Sequence, residues 1–122
     1  MRKIESQMNA AIRDSQDWKS ANTMVAHSHD GVNSPVSHVF LHGNKIAEVG
    51  DNFIKLFDGG WQSNTTKSRL NAILQEHGIP GECVFQKNFE WFIRLWNGTE
   101  FFTTEFRNGM RLGDLTPKML LV

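Results

Sequence analysis

The chain has 122 residues, 39% of them hydrophobic and 21% charged, and its thirteen basic side chains balance thirteen acidic ones. This size predicts one domain with a modest core, and the balanced charge argues against a protein that coats nucleic acid by bulk positive charge. The single cysteine excludes an internal disulfide, and the lack of a long apolar run predicts a cytoplasmic protein with neither an export signal nor a membrane span.

The first half of the chain predicts a helix followed by strands. Apolar residues at helical spacing predict a short amphipathic helix over residues 2–14. Its apolar face would carry Ile4, Met8, Ala11 and Ile12. After a polar connection the period changes to that of strands, with turn-forming residues between them. The predicted strands of this first antiparallel meander are 23–29, 36–41, 45–49 and 52–57.

The second half repeats this order. A central helix is predicted over residues 65–77, with Gly78 as a natural end residue and Pro80 preventing continuation. The strands of a second meander are predicted within 83–96, 99–106 and 110–112. We therefore predict an α+β domain over residues 1–114. It would hold an antiparallel sheet of two meanders, about six to seven strands, with both helices packed on one face.

An apolar tail is predicted over residues 115–122, which end in four apolar side chains. Because a free apolar terminus is uncommon in water, we expect the tail to dock on its own domain or on a second copy of the chain. The sequence therefore leaves open a monomer and a homodimer formed through the tail.

The start of the central helix is the strongest candidate site. It carries Thr65, Thr66, Lys67, Ser68 and Arg69 in succession. Cations at this end of a helix oppose the helix dipole, at a cost of roughly 0.3–1 kcal/mol each, and a bound anion would offset that cost. We therefore predict an anion-binding or partner-binding site, with an ordinary capped helix and a solvated basic face as the alternative. A phosphate loop is excluded, because Trp61 and Thr66 stand where its pattern requires glycine.

Two further clusters are weaker candidates. Phe92, Arg94 and Trp96 share one face of a predicted strand and form a candidate aromatic and basic surface, although such rings also build cores. His27 and His29 would lie on one side of a strand and could bind zinc, although such pairs are usually solvent-facing. No catalytic constellation is recognised, and we expect neither a resident metal nor another cofactor.

Four segments carry a resemblance to a known family. They are RKIESQMNAAIRD at 2–14, LHGNKIA at 41–47, GWQSNTTKSRLNA at 60–72 and FQKNFEWF at 85–92, and Trp18 followed by Asn22-Thr23 adds to them. In these segments the chain resembles a family of small uncharacterised proteins encoded by tailed bacteriophages. The resemblance implies a virus-encoded accessory protein that acts in the cytoplasm of an infected bacterium.

The leading expectation is a non-enzymatic phage protein that binds and modulates a host macromolecule. The target would be a defence system, of the anti-CRISPR or anti-restriction type, or a nucleic-acid-processing complex. One alternative is a direct nucleic-acid-binding protein that uses Lys67 and Arg69 against phosphates. A second alternative is a metal-dependent enzyme centred on His27 and His29.

Overall fold

The computed structural model describes residues 1–28 and 35–112 and has two helices and nine strands within them. The elements are α1 (Lys3–Arg13), β1 (Trp18–Ser20), β2 (Thr23–Ser28), β3 (Val36–Leu41), β4 (Asn44–Val49), β5 (Ile54–Leu56), α2 (Asn64–His77), β6 (Cys83–Lys87), β7 (Glu90–Trp96), β8 (Phe101–Glu105) and β9 (Met110–Leu112). This order confirms the α+β class with an N-terminal and a central helix. The predicted boundary at residue 114 and the tail 115–122 lie outside the described residues.

The strands divide between two antiparallel sheets. The first sheet has the order β1-β2-β3-β4-β5-β9 and the second has the order β6-β7-β8. Two strands differ from the sequence-based prediction. Trp18, expected in a connection, begins β1 and pairs with Val25, whereas β9, expected in the second meander, returns to the first sheet, where Arg111 pairs with Lys55. Thus the two meanders do not share one continuous ladder.

The core lies between the first sheet and the two helices, and it also includes the inward-facing residues of the second sheet. Alternate residues of β2 and β3 are buried, as expected for strands with one covered face. Helix α1 lies against β1 and β2, while α2 contacts α1 and β4. The buried apolar residues of the helices are Met8, Ala11, Ile12, Leu70, Ala72, Ile73 and Leu74. Because these residues recur at helical spacing, the apolar face that predicted each helix is also the face that is buried.

Asn71 connects α2 to the second sheet. Its side-chain Nδ2 donates to the carbonyl oxygen of Val84 at 2.9 Å, and its Oδ1 accepts from the Val84 amide at 2.7 Å. The side-chain amide thus forms with the backbone of β6 the pair of hydrogen bonds that a neighbouring strand would form. The second sheet is therefore held to α2 through the edge of β6.

Neither of the two helices of the described chain has the length and apolar character that a membrane crossing requires.

Candidate functional site

The start of α2 is a capped helix end. Ser63, rather than a residue within the predicted cluster, is the N-cap, and its Oγ accepts from the Thr66 backbone amide at 3.1 Å. The Thr66 hydroxyl lies 2.9 Å from the Ser63 hydroxyl and is buried. Thr66 therefore uses its hydroxyl and its backbone amide within the cap, and this geometry gives no support to its predicted role as an anion-binding or partner-binding residue.

Arg69 does not face solvent and has only 3% of its surface exposed. Its Nη1 lies 2.8 Å from Oε2 of Glu5, and its Nε donates to the hydroxyl of Thr23 at 3.1 Å. Ser68 donates to the same Glu5 oxygen at 2.6 Å. The geometry gives no support to the prediction that Arg69 binds an outside anion, because a carboxylate from α1 already neutralises its charge. Ser68 likewise uses its hydroxyl inside the chain.

The buried pair also determines the protonation of Glu5. Burial by itself raises the pKa of Glu5, but the hydrogen bonds from Ser68 and Arg69 outweigh it, and the pKa of Glu5 is lowered overall. A lowered carboxyl pKa stabilises the fold above the ordinary value of 4.5, and this contribution is lost as the pH falls below it. The Glu5–Arg69 pair is therefore part of the folded core at neutral pH.

Thr65 and Lys67 keep partial contact with solvent. The Lys67 ammonium lies 3.5 Å from the side-chain oxygen of Gln86 on β6. Thr65 lines an open cleft of about 350 Å³, which also includes Trp61 and His42. A partner contact at Thr65 and Lys67 stays a prediction. The Arg69 guanidinium, which would have given such a contact strong phosphate affinity, is paired with Glu5 instead.

The second sheet has an outward-facing surface of aromatic rings, here called the outer face. It consists of Phe85, Phe92, Arg94, Trp96 and Phe101, which the strand register places on one side. The rings of Phe85 and Phe92 stack at 5.9 Å between centroids, and those of Trp96 and Phe101 meet edge to face at 4.9 Å. The Arg94 guanidinium lies 3.9 Å from the centre of the Phe101 ring.

The three predicted surface residues Phe92, Arg94 and Trp96 are therefore brought together. Their neighbours Trp91 and Ile93 point the other way and are buried in the core. Arg94 is exposed, while the rings of the outer face are half-buried. This side of the sheet thus offers a pre-arranged surface of rings and one guanidinium.

Among the residues that the structure describes, Phe89 is the most exposed large apolar residue, with 94% of its surface in solvent. Asn88 and Phe89 form the two-residue turn between β6 and β7, with φ of 52° and 65°. A left-handed conformation is uncommon for a bulky residue and is strained. The hairpin tip therefore bears both backbone strain and an exposed ring.

Replacing Phe89 with glycine is expected to stabilise the fold. Asn-Gly is the preferred sequence for this turn, so Phe89→Gly should raise the free energy of unfolding by about 1 kcal/mol. Phe89→Ala is the matched control, because it removes the ring but keeps a side chain at positive φ, and its stability should stay near that of the wild type. Urea unfolding of the three proteins measures the difference, and a Phe89→Gly variant less stable than Phe89→Ala would contradict it.

The charges around the outer face are mixed in sign. Lys87 and Glu90 pair across the hairpin, and Glu105 pairs with Phe92 on β7. Both carboxylates lie on the same side of the sheet as Arg94, as the register requires. This side therefore lacks the uniformly positive field that a nucleic-acid backbone requires.

A polar chain of hydrogen bonds lies on the first sheet. Oδ1 of Asp17 accepts from the His27 backbone amide at 3.0 Å and lies 3.0 Å from His27 Nδ1. His27 Nε2 lies 2.8 Å from the hydroxyl of Ser37, its cross-strand partner. The hydrogen bond from His27 is the main cause that lowers the pKa of Asp17. Sequence reasoning missed this chain, because it depends on a strand register that turn patterns alone do not supply.

The suggested metal site is not supported by this geometry. Both ring nitrogens of His27 are within hydrogen-bonding distance of protein oxygens, so a metal would have to displace Asp17 or Ser37. His29, its suggested partner, lies outside the described residues. Within residues 1–28 and 35–112, no group of three histidine, cysteine or acidic side chains is arranged to hold a metal ion.

A polar cavity of about 390 Å³, open to solvent, lies where both helices end above the first sheet. Ser37 lines it, together with Arg13 from α1 and His77 from α2. The His77 side chain is mostly buried, and its Nε2 lies 3.4 Å from the Glu76 carboxylate. Burial lowers the pKa of His77, as does Arg13, while Glu76 acts in the opposite direction.

The lowered pKa of His77 predicts acid destabilisation. In the unfolded chain His77 takes up its proton near pH 6.5, whereas the folded state resists protonation, so its stabilising contribution is present above that pH and lost below it. We expect His77→Gln to lose less stability than the wild type between pH 7.5 and 5.5 in urea unfolding. Burial also lowers the pKa of His38, so part of the loss of stability at low pH should remain in His77→Gln. An identical pH dependence in both proteins would contradict this assignment.

Comparison with known proteins identifies a family for this chain. Residues 1–113 match the family model described as Kyanoviridae Gp96 protein. Neither the curated proteins nor the solved structures gave a match.

Proposed function

The chain belongs to the Kyanoviridae Gp96 protein family, a family of phage proteins, and on that premise we propose that it is a phage-encoded accessory protein that binds a host protein. The contact surface is the hairpin tip at Phe89 together with the outer face. The target we propose is a component of a defence system or of a nucleic-acid-processing complex in the host cytoplasm. Binding of this kind works by occupying a surface and needs no catalytic group at the interface.

Phe89 is the single observation that carries this proposal. An exposed ring gains nothing from the core, and its left-handed backbone costs stability. Glycine would relieve the strain, so folding alone does not favour phenylalanine at this position. A protein partner that buries the ring would offset both costs.

The composition of the outer face supports a protein partner. Aromatic and arginine side chains are the residues that contribute most to protein–protein binding, and both are present here in fixed positions. Rings that already pack against each other lose little conformational entropy on binding. The surrounding side chains of both signs resemble the polar rim of such an interface.

Direct nucleic-acid binding is the alternative class of partner. Base stacking on Phe92 and Trp96 favours it, but Glu90 and Glu105 on the same side repel phosphates. The earlier basis for it, an exposed Arg69, is removed by the ion pair with Glu5. We therefore propose a protein partner, and the two classes differ in their response to salt.

Affinity capture from infected cells tests the proposal. The wild-type protein should retain one host protein in stoichiometric amounts after nuclease treatment, and retention should change less than about tenfold between 50 and 200 mM salt. Phe89→Ala and Trp96→Ala should lose that protein. Trp61→Ala is the matched control, since Trp61 is also an exposed ring, with 75% of its surface in solvent, but lies at the start of α2.

Two outcomes would overturn the proposal. Capture that disappears with nuclease, or falls by several orders of magnitude with salt, would indicate nucleic acid as the partner. Loss of the host protein with Trp61→Ala but not with Phe89→Ala would move the interface to the cleft beside α2.

A further inference from the structure

We propose that Ser37, His27 and Asp17 form a serine-nucleophile site that cleaves small carboxylic esters in the cavity above the first sheet. This inference concerns a different part of the molecule from the outer face and does not depend on the proposed binding function. It would mean that the sequence-based expectation of no catalytic constellation does not hold for this sheet.

The hydrogen-bond order is the first support. A serine nucleophile needs a histidine whose Nε2 faces the hydroxyl and whose Nδ1 is held by a carboxylate. His27 has this arrangement, with Ser37 Oγ at 2.8 Å from Nε2 and Asp17 Oδ1 at 3.0 Å from Nδ1. The same Asp17 oxygen also accepts from the His27 backbone amide at 3.0 Å, which fixes the carboxylate although it lies at the surface.

Access to a cavity is the second support. Ser37 has 3% of its surface exposed, and it lines the polar cavity of about 390 Å³. A space of this size suits a small ligand. The Arg13 guanidinium lines the same cavity, where it lies 3.4 Å from the Glu76 carboxylate. Ser37 and Arg13 thus line one space, while His27 lies outside its lining, contacts the Ser37 hydroxyl from within the fold and has only 7% of its side chain exposed.

The chemistry follows from these positions. Ser37 Oγ attacks the ester carbonyl carbon while its proton passes to Nε2 of His27. The bond to the leaving alcohol breaks, and His27 returns the proton to the leaving oxygen. Water then attacks the acyl-serine by the same route, which releases the carboxylic acid and restores Ser37. Asp17 is a positioning residue, since it holds the histidine tautomer without touching the substrate.

Labelling with an alkyl fluorophosphonate tests the site. The purified full-length protein should gain one phosphonyl adduct, located on Ser37 by peptide mass spectrometry. Ser37→Ala should lose the adduct. Asp17→Asn should label at least about tenfold more slowly, and its fold should be retained because the Asp17 side chain is 75% exposed.

The neighbouring Ser28 is the matched control. Its hydroxyl lies 2.7 Å from Nε2 of His38, so it has a similar histidine contact but stands outside the lining of the cavity. Ser28→Ala should label at the wild-type rate, and 4-nitrophenyl acetate hydrolysis should follow the labelling in every variant. The inference is overturned if the folded wild type gains no adduct, if the adduct lies on Ser28, or if Asp17→Asn labels at the wild-type rate.

Discussion

Replacing Arg69 with alanine should lower the free energy of unfolding by about 3–5 kcal/mol. The substitution leaves the Glu5 carboxylate buried without its countercharge, and breaking one side of a buried ion pair has costs of this order. The hydroxyl of Thr23 would also lose the Nε donor that it accepts from. Urea unfolding of the wild type and the Arg69→Ala variant measures the loss directly.

Two variants separate the buried charge from other causes. Lys67→Ala changes a cation two residues earlier on the same helix, but a partly exposed one, and should stay within about 0.5 kcal/mol of the wild type. The double variant Glu5→Met with Arg69→Met should recover much of the lost stability, because it removes both charges and keeps apolar volume. A loss below about 1 kcal/mol in Arg69→Ala would contradict the account of this pair.

Replacing Asn71 with leucine should lower the free energy of unfolding by about 2–3 kcal/mol. The change keeps a side chain of similar size but leaves the amide and the carbonyl of Val84 without their partner, at about 1–3 kcal/mol for each buried group. Because these two bonds join α2 to the edge of β6, the loss should be concentrated in the second sheet. Hydrogen exchange at the amides of β6 and β7 should therefore accelerate more than exchange in the first sheet.

Gln75 provides the control for this second prediction. It lies one turn further along α2 and is exposed, so Gln75→Leu should leave both the stability and the exchange of β6 unchanged. Equal acceleration of exchange in both sheets of Asn71→Leu would show that the side chain supports the whole fold rather than this connection.

The sequence predicted the helices and the first meander because burial follows a simple period. Met8 and Ile12 on α1, and Leu70 and Ile73 on α2, are buried as their spacing indicated. Local patterns contain no information on which strand a later segment joins. For this reason β9 was assigned to the wrong meander.

The candidate site at α2 shows that charged residues in a sequence do not by themselves reveal their partners in the fold. A cluster of cations at a helix start does suggest an anion, and Arg69 does meet one, but the carboxylate belongs to Glu5, which lies 64 positions away in the same chain. The sequence gives no distance between α1 and α2 and could not distinguish this partner from an external one. By contrast, Phe92, Arg94 and Trp96 alternate along one strand, and the period of two was enough to place them together.

The two sites differ in what they need from the fold. The outer face needs the second sheet to stay joined to α2, so Asn71 supports the proposed interface without taking part in it. The cavity beside Ser37 depends on the ends of both helices, and the pH response of His77 reports on that region. Damage to one site should therefore leave the other measurable.

The most direct test of the binding proposal is a paired measurement on Phe89→Gly. Its free energy of unfolding and its affinity for the captured host protein would be determined alongside those of the wild type. If the exposed ring is a binding anchor, the variant should be more stable by about 1 kcal/mol and bind at least about 30-fold more weakly, as expected for an interface hot spot. A variant that binds as tightly as the wild type would contradict the account. The exposed ring and its strained backbone would then contribute to neither folding nor binding.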